Sequence, residues 1–182
     1  MLRHELPGGD HLRLFEESDA EEMYALVDRN RAHLEPWMPW VPLVHSPADQ
    51  LEFIRATRRQ IADNDGFQVA IVTAGGALAG TVGFHRVSWL NRATNIGYWL
   101  AADQQGRGTM TQAVGALVDH AFGAWGLHRI EISAAVDNAR SRAIPVRLGF
   151  REEGVRRAAE RHGDRYLDLV VYGLLESDWP AA

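Results

Sequence analysis

The most constraining feature of the sequence is a glycine-rich turn between a strand pattern and a helix pattern. Residues 104–110 read QQGRGTM, preceded by the apolar stretch NIGYWLAAD and followed by the helical pattern TQAVGALVDHAFGAW. A helix N-terminus leaves backbone N–H groups unpaired and carries about half a positive charge, so it attracts anions. Glycines allow a ligand to approach those amides closely. The turn therefore predicts an anion site where a strand is followed by a helix.

The glycine spacing narrows the kind of anion that this turn would bind. A nucleotide triphosphate loop needs Gly-Lys-Ser/Thr, which is absent, and the dinucleotide pattern GxGxxG fails because Thr111 stands at its third glycine. We expect a diphosphate that is held and not cleaved, because that ligand requires neither a lysine nor a metal ion. The alternative is a strand–helix turn that needs glycine only for steric reasons.

The other patterns along the chain predict a mixed α/β sheet with helices on its faces. A helix pattern begins at a Ser18 cap and runs to residue 31, and a second follows Ser46-Pro47 to residue 63. A third covers residues 109–125, and a short one begins at Asn138. Strand patterns end near Phe15 and cover residues 67–74, 75–89, 93–102, 128–136, 150–161 and 164–176. We expect a single domain over residues 1–182, because the chain shows no linker or internal repeat.

Composition and charge exclude several classes of function. The net charge of −5 argues against a general nucleic-acid binder, which needs a basic face. The chain has no cysteine, so disulfides, thiolate nucleophiles and cysteine-ligated metals are excluded. Its eight histidines show no metal-binding spacing, and we expect no metal. No signal peptide or membrane-spanning run is visible, so we expect a cytoplasmic protein without a membrane partner.

Several segments together resemble the GCN5-related N-acetyltransferase (GNAT) superfamily. Its pyrophosphate loop reads Q/R-x-x-G-x-G/A, and here Gln105, Gly108 and Met110 take the first, fourth and sixth places. Met110 departs from the superfamily's Gly or Ala. Within the superfamily, the chain is similar to the RimJ/RimL branch, which acetylates the α-amino ends of ribosomal proteins. The similarity lies in the variant of the loop and in the segments NRAHLEPWMPW, AAVDNARSRAI, GFREEG and LDLVVYGLLESDW. The resemblance covers essentially the whole chain.

The resemblance implies a GNAT fold, with a central, mostly antiparallel mixed sheet, and acetyl-CoA as cosubstrate. Residues 10–64 would form the acceptor side, 66–126 the cofactor core, and 127–178 the C-terminal strands and hairpin. Main chain near Trp99 and Leu100 would run alongside the pantetheine like an added strand. The implied cofactor residues are Trp99, Leu100, Gln105, Gly106, Arg107, Gly108, Thr109, Met110, Asn138 and Ser141. Asn138 has a competing structural role as a turn or cap residue.

Acetyl transfer to an amine has three requirements. The amine must be neutral, the carbonyl oxygen needs a hydrogen-bond donor as charge builds, and the leaving thiolate needs a proton. An α-amine has a pKa near 7.7–8.0 and lysine near 10.4, so presenting a neutral lysine at pH 7 costs about 3 kcal/mol more. An enzyme with only a modest base therefore works more easily on α-amines.

Glu160 is the base that the resemblance implies, acting through water. It lies just before a predicted hairpin turn at His162-Gly163, and we expect its side chain near Tyr166 across that turn. The alternative is a solvated edge glutamate that pairs with Arg157 or Arg161.

The general acid that would protonate the leaving thiolate is harder to assign. Pro145 stands where the superfamily often has a tyrosine, four residues before Gly-Phe. The RimL-like branch suggests Ser141 as the replacement, with a helix cap as its alternative role. Other possible donors are Tyr98, Tyr166 and Tyr172. A backbone amide near residues 99–101 would stabilise the oxyanion.

The aromatic loop PWMPW is the predicted wall of an acceptor cleft. Exposed tryptophans need a cover from core, partner or ligand. The predicted substrate-binding residues are Trp37, Trp40, Arg31 and Tyr166, with His33, Glu35 and Trp89 as further lining residues. The alternative is that Trp37 and Trp40 pack under the first helices.

The sequence therefore predicts an N-acetyltransferase that works by direct attack of an amine on acetyl-CoA, most readily at a protein α-amino end. Two alternatives stay open: acetylation of a small amine such as an antibiotic, polyamine or aminoacyl nucleotide, and a CoA-binding regulator without catalysis. The resemblance also implies a homodimer.

Overall fold

A computed structural model of the chain describes residues 3–180. Within that range one mixed sheet has the strand order β1-β2-β3-β4-β5-β6-β8-β7. Every neighbouring pair is antiparallel except β5 and β6. The strands are β1 Arg3–Glu5, β2 His11–Leu14, β3 Gln68–Val72, β4 Leu78–Ser88, β5 Ala93–Leu100, β6 Arg129–Ala135, β7 Arg151–His162 and β8 Arg165–Leu175. The mixed, mostly antiparallel sheet that the sequence predicts is confirmed.

Helices cover both faces of this sheet. They are α1 Ala20–Arg29, α2 Arg31–Leu34, α3 Pro47–Ala62, α4 Thr109–Asp119 and α5 Ala139–Arg147. One buried cluster joins α1 and α3 to one face of β3–β5, with Val27, Ile54 and Trp99 among its members. The other joins α4 to the opposite face, with Leu117, Phe84 and Tyr172. None of the helices described combines the length and apolarity that crossing a membrane requires.

Helix α3 begins where the sequence predicts. Ser46 accepts the N3 amide while the Asp49 carboxylate accepts the Ser46 amide, and Pro47 occupies the first turn. This reciprocal capping satisfies two donors that would otherwise be unpaired, and proline has no N–H to lose there.

Several element boundaries differ from the prediction, and one strand was not predicted. Helix α1 is not capped at Ser18; residues 17–19 form a 3-10 turn, and the Asp19 side chain accepts the Glu16 amide at 2.8 Å. The predicted helix over 109–125 is α-helical only to Asp119 and continues as a π-helical turn over His120–Ala124. The short strand β1, which the sequence pattern did not predict, pairs with β2.

Helix α1 also ends earlier than predicted, because Asn30 interrupts it. The Asn30 side chain donates to the carbonyl of Leu26 at 2.8 Å and accepts the amide of Ala102 at 3.0 Å. A short polar side chain that bonds to the backbone competes with helical hydrogen bonding. This break ties the acceptor-side helices to the segment that follows β5.

Candidate active site

The sheet opens between β5 and β6. These strands pair in parallel only over residues 93–95 and 129–131, although β5 continues to Leu100 and β6 to Ala135. Beyond Asn95, the edge of β5 that faces β6 has no strand partner among the described residues. The gap therefore exposes a run of main-chain donors and acceptors in the middle of the sheet.

The amides that face this gap follow from the pairing of β5 with β4. The Ala101 amide donates to the carbonyl of Ala79 at 2.8 Å, so it points away from the gap. Because successive amides alternate between the two edges of a strand, those of Tyr98 and Leu100 point into it. Within the predicted oxyanion segment, residues 99–101, Leu100 is thus the residue whose amide is directed to the gap.

The glycine turn lies at the end of this gap and opens helix α4. Gly106 and Gly108 have φ angles of 80° and 81°, and Gly108 is the N-cap residue. This left-handed conformation favours glycine. A Cβ at Gly108 would have its nearest neighbour, the Gln112 side chain, 3.9 Å away, so the space above the turn is open. The Thr109 hydroxyl donates to Asp10 at 2.9 Å and anchors the first turn of the helix to the β1–β2 hairpin.

A cleft of roughly 1090 Å³ joins the turn to the gap between the strands. Nine of the ten predicted cofactor residues line it: Trp99, Leu100, Gln105, Gly106, Gly108, Thr109, Met110, Asn138 and Ser141. The exception is Arg107, whose guanidinium donates to Gln104 and to the Asp103 carbonyl instead. Arg140 and Arg147 also line the cleft and were not predicted to do so. Their seven-residue spacing places both on one face of α5, a periodic signal that could have identified them.

The Gln105 side chain bridges the cleft. Arg140 donates to Gln105 Oε1 at 2.8 Å, and Gln105 Nε2 lies 2.9 Å from His33 Nε2. An amide nitrogen only donates, so His33 Nε2 is the acceptor and its proton is on Nδ1. This chain of contacts joins α2 to α5 across the glycine turn.

Ser141 and Tyr98 form a contact pair in the wall of the cleft. The Tyr98 hydroxyl donates to the Ser141 carbonyl at 3.0 Å, and the Ser141 hydroxyl donates to Tyr98 Oη at 3.4 Å. Burial raises the pKa of Tyr98 to about 12, so the phenol stays protonated at neutral pH. The Asn138 side chain accepts the Ser141 amide at 3.1 Å, so Asn138 caps α5 and also lines the cleft.

The other two tyrosines considered as donors lie elsewhere. The Tyr172 side chain is buried, and its hydroxyl accepts from Arg142 at 2.9 Å and contacts Glu152. Tyr166 is exposed on the β7–β8 hairpin. Neither lines the cleft.

A second cavity of roughly 490 Å³ adjoins the cleft on the side of the hairpin. Trp37 and Asp137 line both spaces, so the two meet at these residues. Tyr166 lines the second cavity, and the Arg165 guanidinium donates to the Pro36 carbonyl at 3.3 Å. The aromatic loop and the hairpin therefore form its two sides.

Of the other predicted acceptor residues, His33 lines the larger cleft, whereas Trp40, Arg31, Glu35 and Trp89 line neither space. Trp40 packs against Trp99, with ring centroids 5.9 Å apart. Arg31 donates to the carbonyls of Val41 and Val44 and so holds the aromatic loop in place. Trp89 belongs to an aromatic cluster with Trp125 on the face covered by α4.

Glu160 lies on β7 opposite Leu167. Tyr166 is opposite Arg161, so it projects from the other face and not beside Glu160 as expected. Among the described residues the Glu160 carboxylate bonds to neither Arg157 nor Arg161, and its partner is His162 Nε2 at 2.5 Å. In the same part of the chain, no cluster of three or more His, Asp or Glu side chains is arranged to hold a metal ion.

Comparison with known proteins agrees with this geometry. The family model for the acetyltransferase (GNAT) domain matches residues 11–151. YdaF of Bacillus subtilis (strain 168), provisionally named a ribosomal N-acetyltransferase, is 37% identical over 169 residues, which cover 92% of each chain.

Two solved structures share the fold at high similarity. RimL, a ribosomal L7/L12 α-N-protein acetyltransferase in complex with coenzyme A, is 27% identical with a TM-score of 0.89, covering 97% of this chain and 98% of that one. The microcin C7 self-immunity acetyltransferase MccE, in complex with acetyl-CoA and AMP, is 30% identical with a TM-score of 0.86, covering 93% and 97%.

The family model spans most of the chain, and the opened sheet, the glycine turn and the cleft lie within or beside its range. The chain therefore belongs to the GNAT family, in its RimJ/RimL-like branch, and is an N-acetyltransferase.

Proposed function

We propose that this enzyme transfers the acetyl group of acetyl-CoA to the α-amino end of a protein by direct attack of the amine. The observation that carries this proposal is the unpaired edge of β5, which leads from the glycine turn to the place where the cleft meets the second cavity. A long thioester can lie along that edge, and an amine can approach it from the other side.

The residues of the cleft fit coenzyme A. The first turn of α4 offers unpaired amides for the pyrophosphate beneath an open, side-chain-free surface at Gly108. The gap-facing Leu100 amide, next to the glycine turn, matches the extended pantetheine, which carries its own amide groups and can pair like a strand. Arg140 and Arg147 add positive charge beside a ligand that carries several phosphate charges.

The second cavity supports an exposed polypeptide end as the acceptor. It is open between the aromatic loop and the hairpin, and a chain terminus can enter it with the rest of the substrate outside. An α-amine is neutral at far lower cost than a lysine at pH 7. RimL, which shares the fold over nearly the whole chain, acts on a protein α-amine.

In the proposed reaction the neutral amine attacks the thioester carbonyl, a C–N bond forms and the C–S bond breaks. The amine proton passes through water to Glu160, and the thiolate receives a proton from the Ser141 hydroxyl, which takes a proton from solvent in the cleft at the same time; Ser141 contacts Tyr98. The gap-facing amide of Tyr98, which lies farther from the glycine turn than that of Leu100, stabilises the oxyanion. The chain has no cysteine to carry the acyl group, which supports direct attack.

A thiol-release assay with acetyl-CoA tests the proposal. The acceptor panel contains peptides that begin with Ser, Ala or Met, a lysine-containing peptide with a blocked N-terminus, spermidine, an aminoglycoside and an aminoacyl sulfamoyl adenosine. We expect turnover with at least one free N-terminal peptide and much less with the blocked one. Turnover with small amines alone would contradict the protein acceptor.

Glu160→Gln tests the base in the same assay. The amide keeps an acceptor for His162 but cannot take a proton, so we expect kcat to fall by roughly a hundredfold or more with unchanged CoA affinity. Full activity of Glu160→Gln would exclude Glu160 as the base.

A nucleotide-linked amine is the second candidate acceptor. Two aromatic rings, Trp37 and Tyr166, line the second cavity, and aromatic rings can stack on a base. MccE, solved with AMP, has the same fold. Preference for the aminoacyl sulfamoyl adenosine over every peptide would favour this candidate.

We also propose that the protein forms a homodimer. Light scattering tests this, since a dimer has twice the mass of the 20.3 kDa chain.

A further inference from the structure

His162 is an unusual residue for its position on the β7–β8 hairpin. It is the last residue of β7, the outermost strand of the sheet, and the first eight residues of that strand are exposed. Only 4% of the His162 side chain is exposed, although the hairpin turn follows immediately. Burial of an imidazole at a strand end calls for a polar partner.

That partner is Glu160. Residues two apart on a strand project from the same face, and His162 Nε2 lies 2.5 Å from Glu160 Oε1. An ionised carboxylate only accepts hydrogen bonds, so His162 Nε2 carries the proton and donates it. The contact fixes one carboxylate oxygen against a buried ring.

The other carboxylate oxygen stays available. Within residues 3–180 Glu160 Oε2 has no hydrogen-bond partner, and 37% of the Glu160 side chain is exposed. The neighbouring Arg161 does not compete, because its guanidinium donates to the Gly163 carbonyl at 2.9 Å. The carboxylate is therefore held at one oxygen and open to water at the other.

The Glu160 carboxylate also acts electrostatically on His85 of β4. The pKa of His85, at the end of the regular pairing of β4 with β5, is lowered by burial, while the negative charge of Glu160 acts to raise it. A Cβ on Gly97 of β5 would clash with His85 Nε2, so that ring rests directly over β5.

We propose that His162 is a positioning residue for Glu160: it holds Oε1 so that Oε2 faces the water that takes the proton of the attacking amine. The inference rests on the proposed function, in which Glu160 is the base. His162 does not touch the substrate in this proposal, and its effect on turnover passes through the carboxylate.

Substitution of His162 by leucine and by glutamine distinguishes the positioning role from a role in packing alone. His162→Leu fills a similar volume without a donor, whereas His162→Gln can place an amide N–H close to the former Nε2. With acetyl-CoA and a peptide beginning with serine, or the first acceptor in the panel that gives turnover, we expect kcat of His162→Leu to fall by roughly ten- to a hundredfold. KM for acetyl-CoA should be unchanged, and His162→Gln should recover most of kcat.

A double variant tests whether the effect passes through Glu160. His162→Leu combined with Glu160→Gln should be no slower than Glu160→Gln alone, because the carboxylate that His162 orients is already gone. Melting temperature and calorimetric CoA affinity of each variant verify that the fold and the cofactor site are intact.

Two results overturn the inference while leaving the proposed function in place. In the first, His162→Leu keeps the wild-type kcat although Glu160→Gln is impaired. In the second, His162→Leu and His162→Gln lose kcat equally while their CoA affinity is intact. Should His162→Leu not fold, His162→Phe, which keeps a ring but has no donor, takes its place. An impaired kcat in His162→Phe with no further loss in its Glu160→Gln double variant supports the inference, and additive losses overturn it. Wild-type activity of Glu160→Gln would overturn both this inference and the assignment of the base.

Discussion

Gly108 is the residue on which the proposed cofactor site depends most directly. Its φ of 81° favours glycine, and a methyl group there would project into the open space of the cleft. For Gly108→Ala we expect a loss of about 1 kcal/mol in unfolding free energy from the left-handed backbone. We also expect the Kd for CoA to rise by roughly tenfold or more, because the methyl group blocks approach to the α4 amides.

Gly76 provides the matched control for this substitution. It has a φ of 87° in the β3–β4 turn, no atom within 4 Å of an added Cβ, and no place in the cleft. Gly76→Ala should lose similar stability in urea unfolding while its calorimetric CoA affinity stays at the wild-type value. Equal CoA affinity in both variants would contradict the placement of the pyrophosphate.

Ser141 and Tyr98 can be separated by single substitutions. The cap of α5 uses the Ser141 backbone amide, so Ser141→Ala keeps it. If the Ser141 hydroxyl supplies the thiolate proton, Ser141→Ala should lower kcat by roughly a hundredfold and leave the CoA Kd unchanged. Tyr98→Phe should cost only a few-fold in kcat, because it removes a contact and not the donor. Full activity of Ser141→Ala together with inactive Tyr98→Phe would assign the proton to Tyr98.

At the scale of elements, strand β7 contains an irregularity just before Glu160. The pairing with β8 shifts between Arg156 and Glu160, and Ala158 has a φ of 47°. The Ala158 amide donates to Asp168 at 2.7 Å, which holds the bulge in place. Bulges of this kind re-aim the side chains that follow them, and here the residues that follow are Glu160 and His162.

The strain at Ala158 leads to a stability prediction. Glycine adopts a left-handed φ without the Cβ clash, so Ala158→Gly should raise the unfolding free energy by about 1 kcal/mol. The neighbouring Ala159 has no positive φ, and Ala159→Gly should lower the unfolding free energy by about 0.5–1 kcal/mol. Urea denaturation gives the sign of the change in unfolding free energy for each variant. Destabilisation by both substitutions would show that the bulge is not left-handed.

Acid stability is a property of the whole molecule to which one ion pair contributes. Asp19 is 8% exposed and accepts two bonds from the Arg13 side chain of β2, at 2.7 and 2.8 Å. Burial by itself raises the pKa of Asp19, but Arg13 and the Glu16 amide outweigh it and hold the pKa below its ordinary value. A lowered carboxyl pKa contributes stability above the unfolded value, near 4, and that contribution is lost as pH falls through the folded value.

Asp19→Asn should therefore lower the unfolding free energy by about 1–3 kcal/mol at pH 7, and the difference from wild type should shrink as the pH falls below about 4. Glu17→Gln removes an exposed pair with Arg55 that solvent screens, so its unfolding free energy should stay close to that of the wild type. Urea unfolding at pH 7, 5 and 3 measures both. If the difference in unfolding free energy between Asp19→Asn and wild type stays constant with pH, the ion pair is excluded as its source.

Local sequence determined much of this protein. The turn QQGRGTM, the cap of α3 and the strands flanking Gly75-Gly76 each depend on residues within a few positions, so the sequence alone predicts them. The same holds for the residues of the turn proposed to bind the cofactor, because a helix N-terminus carries its anion site wherever it lies.

Only the tertiary structure decided how these pieces combine. The divergence of β5 from β6 and the Gln105 bridge between His33 and Arg140 involve elements that are distant in sequence. Such contacts depend on sheet order and on where paired strands separate, which no local periodicity encodes. For the same reason the sequence placed Tyr166 beside Glu160, whereas the strand register puts it on the opposite face of the hairpin.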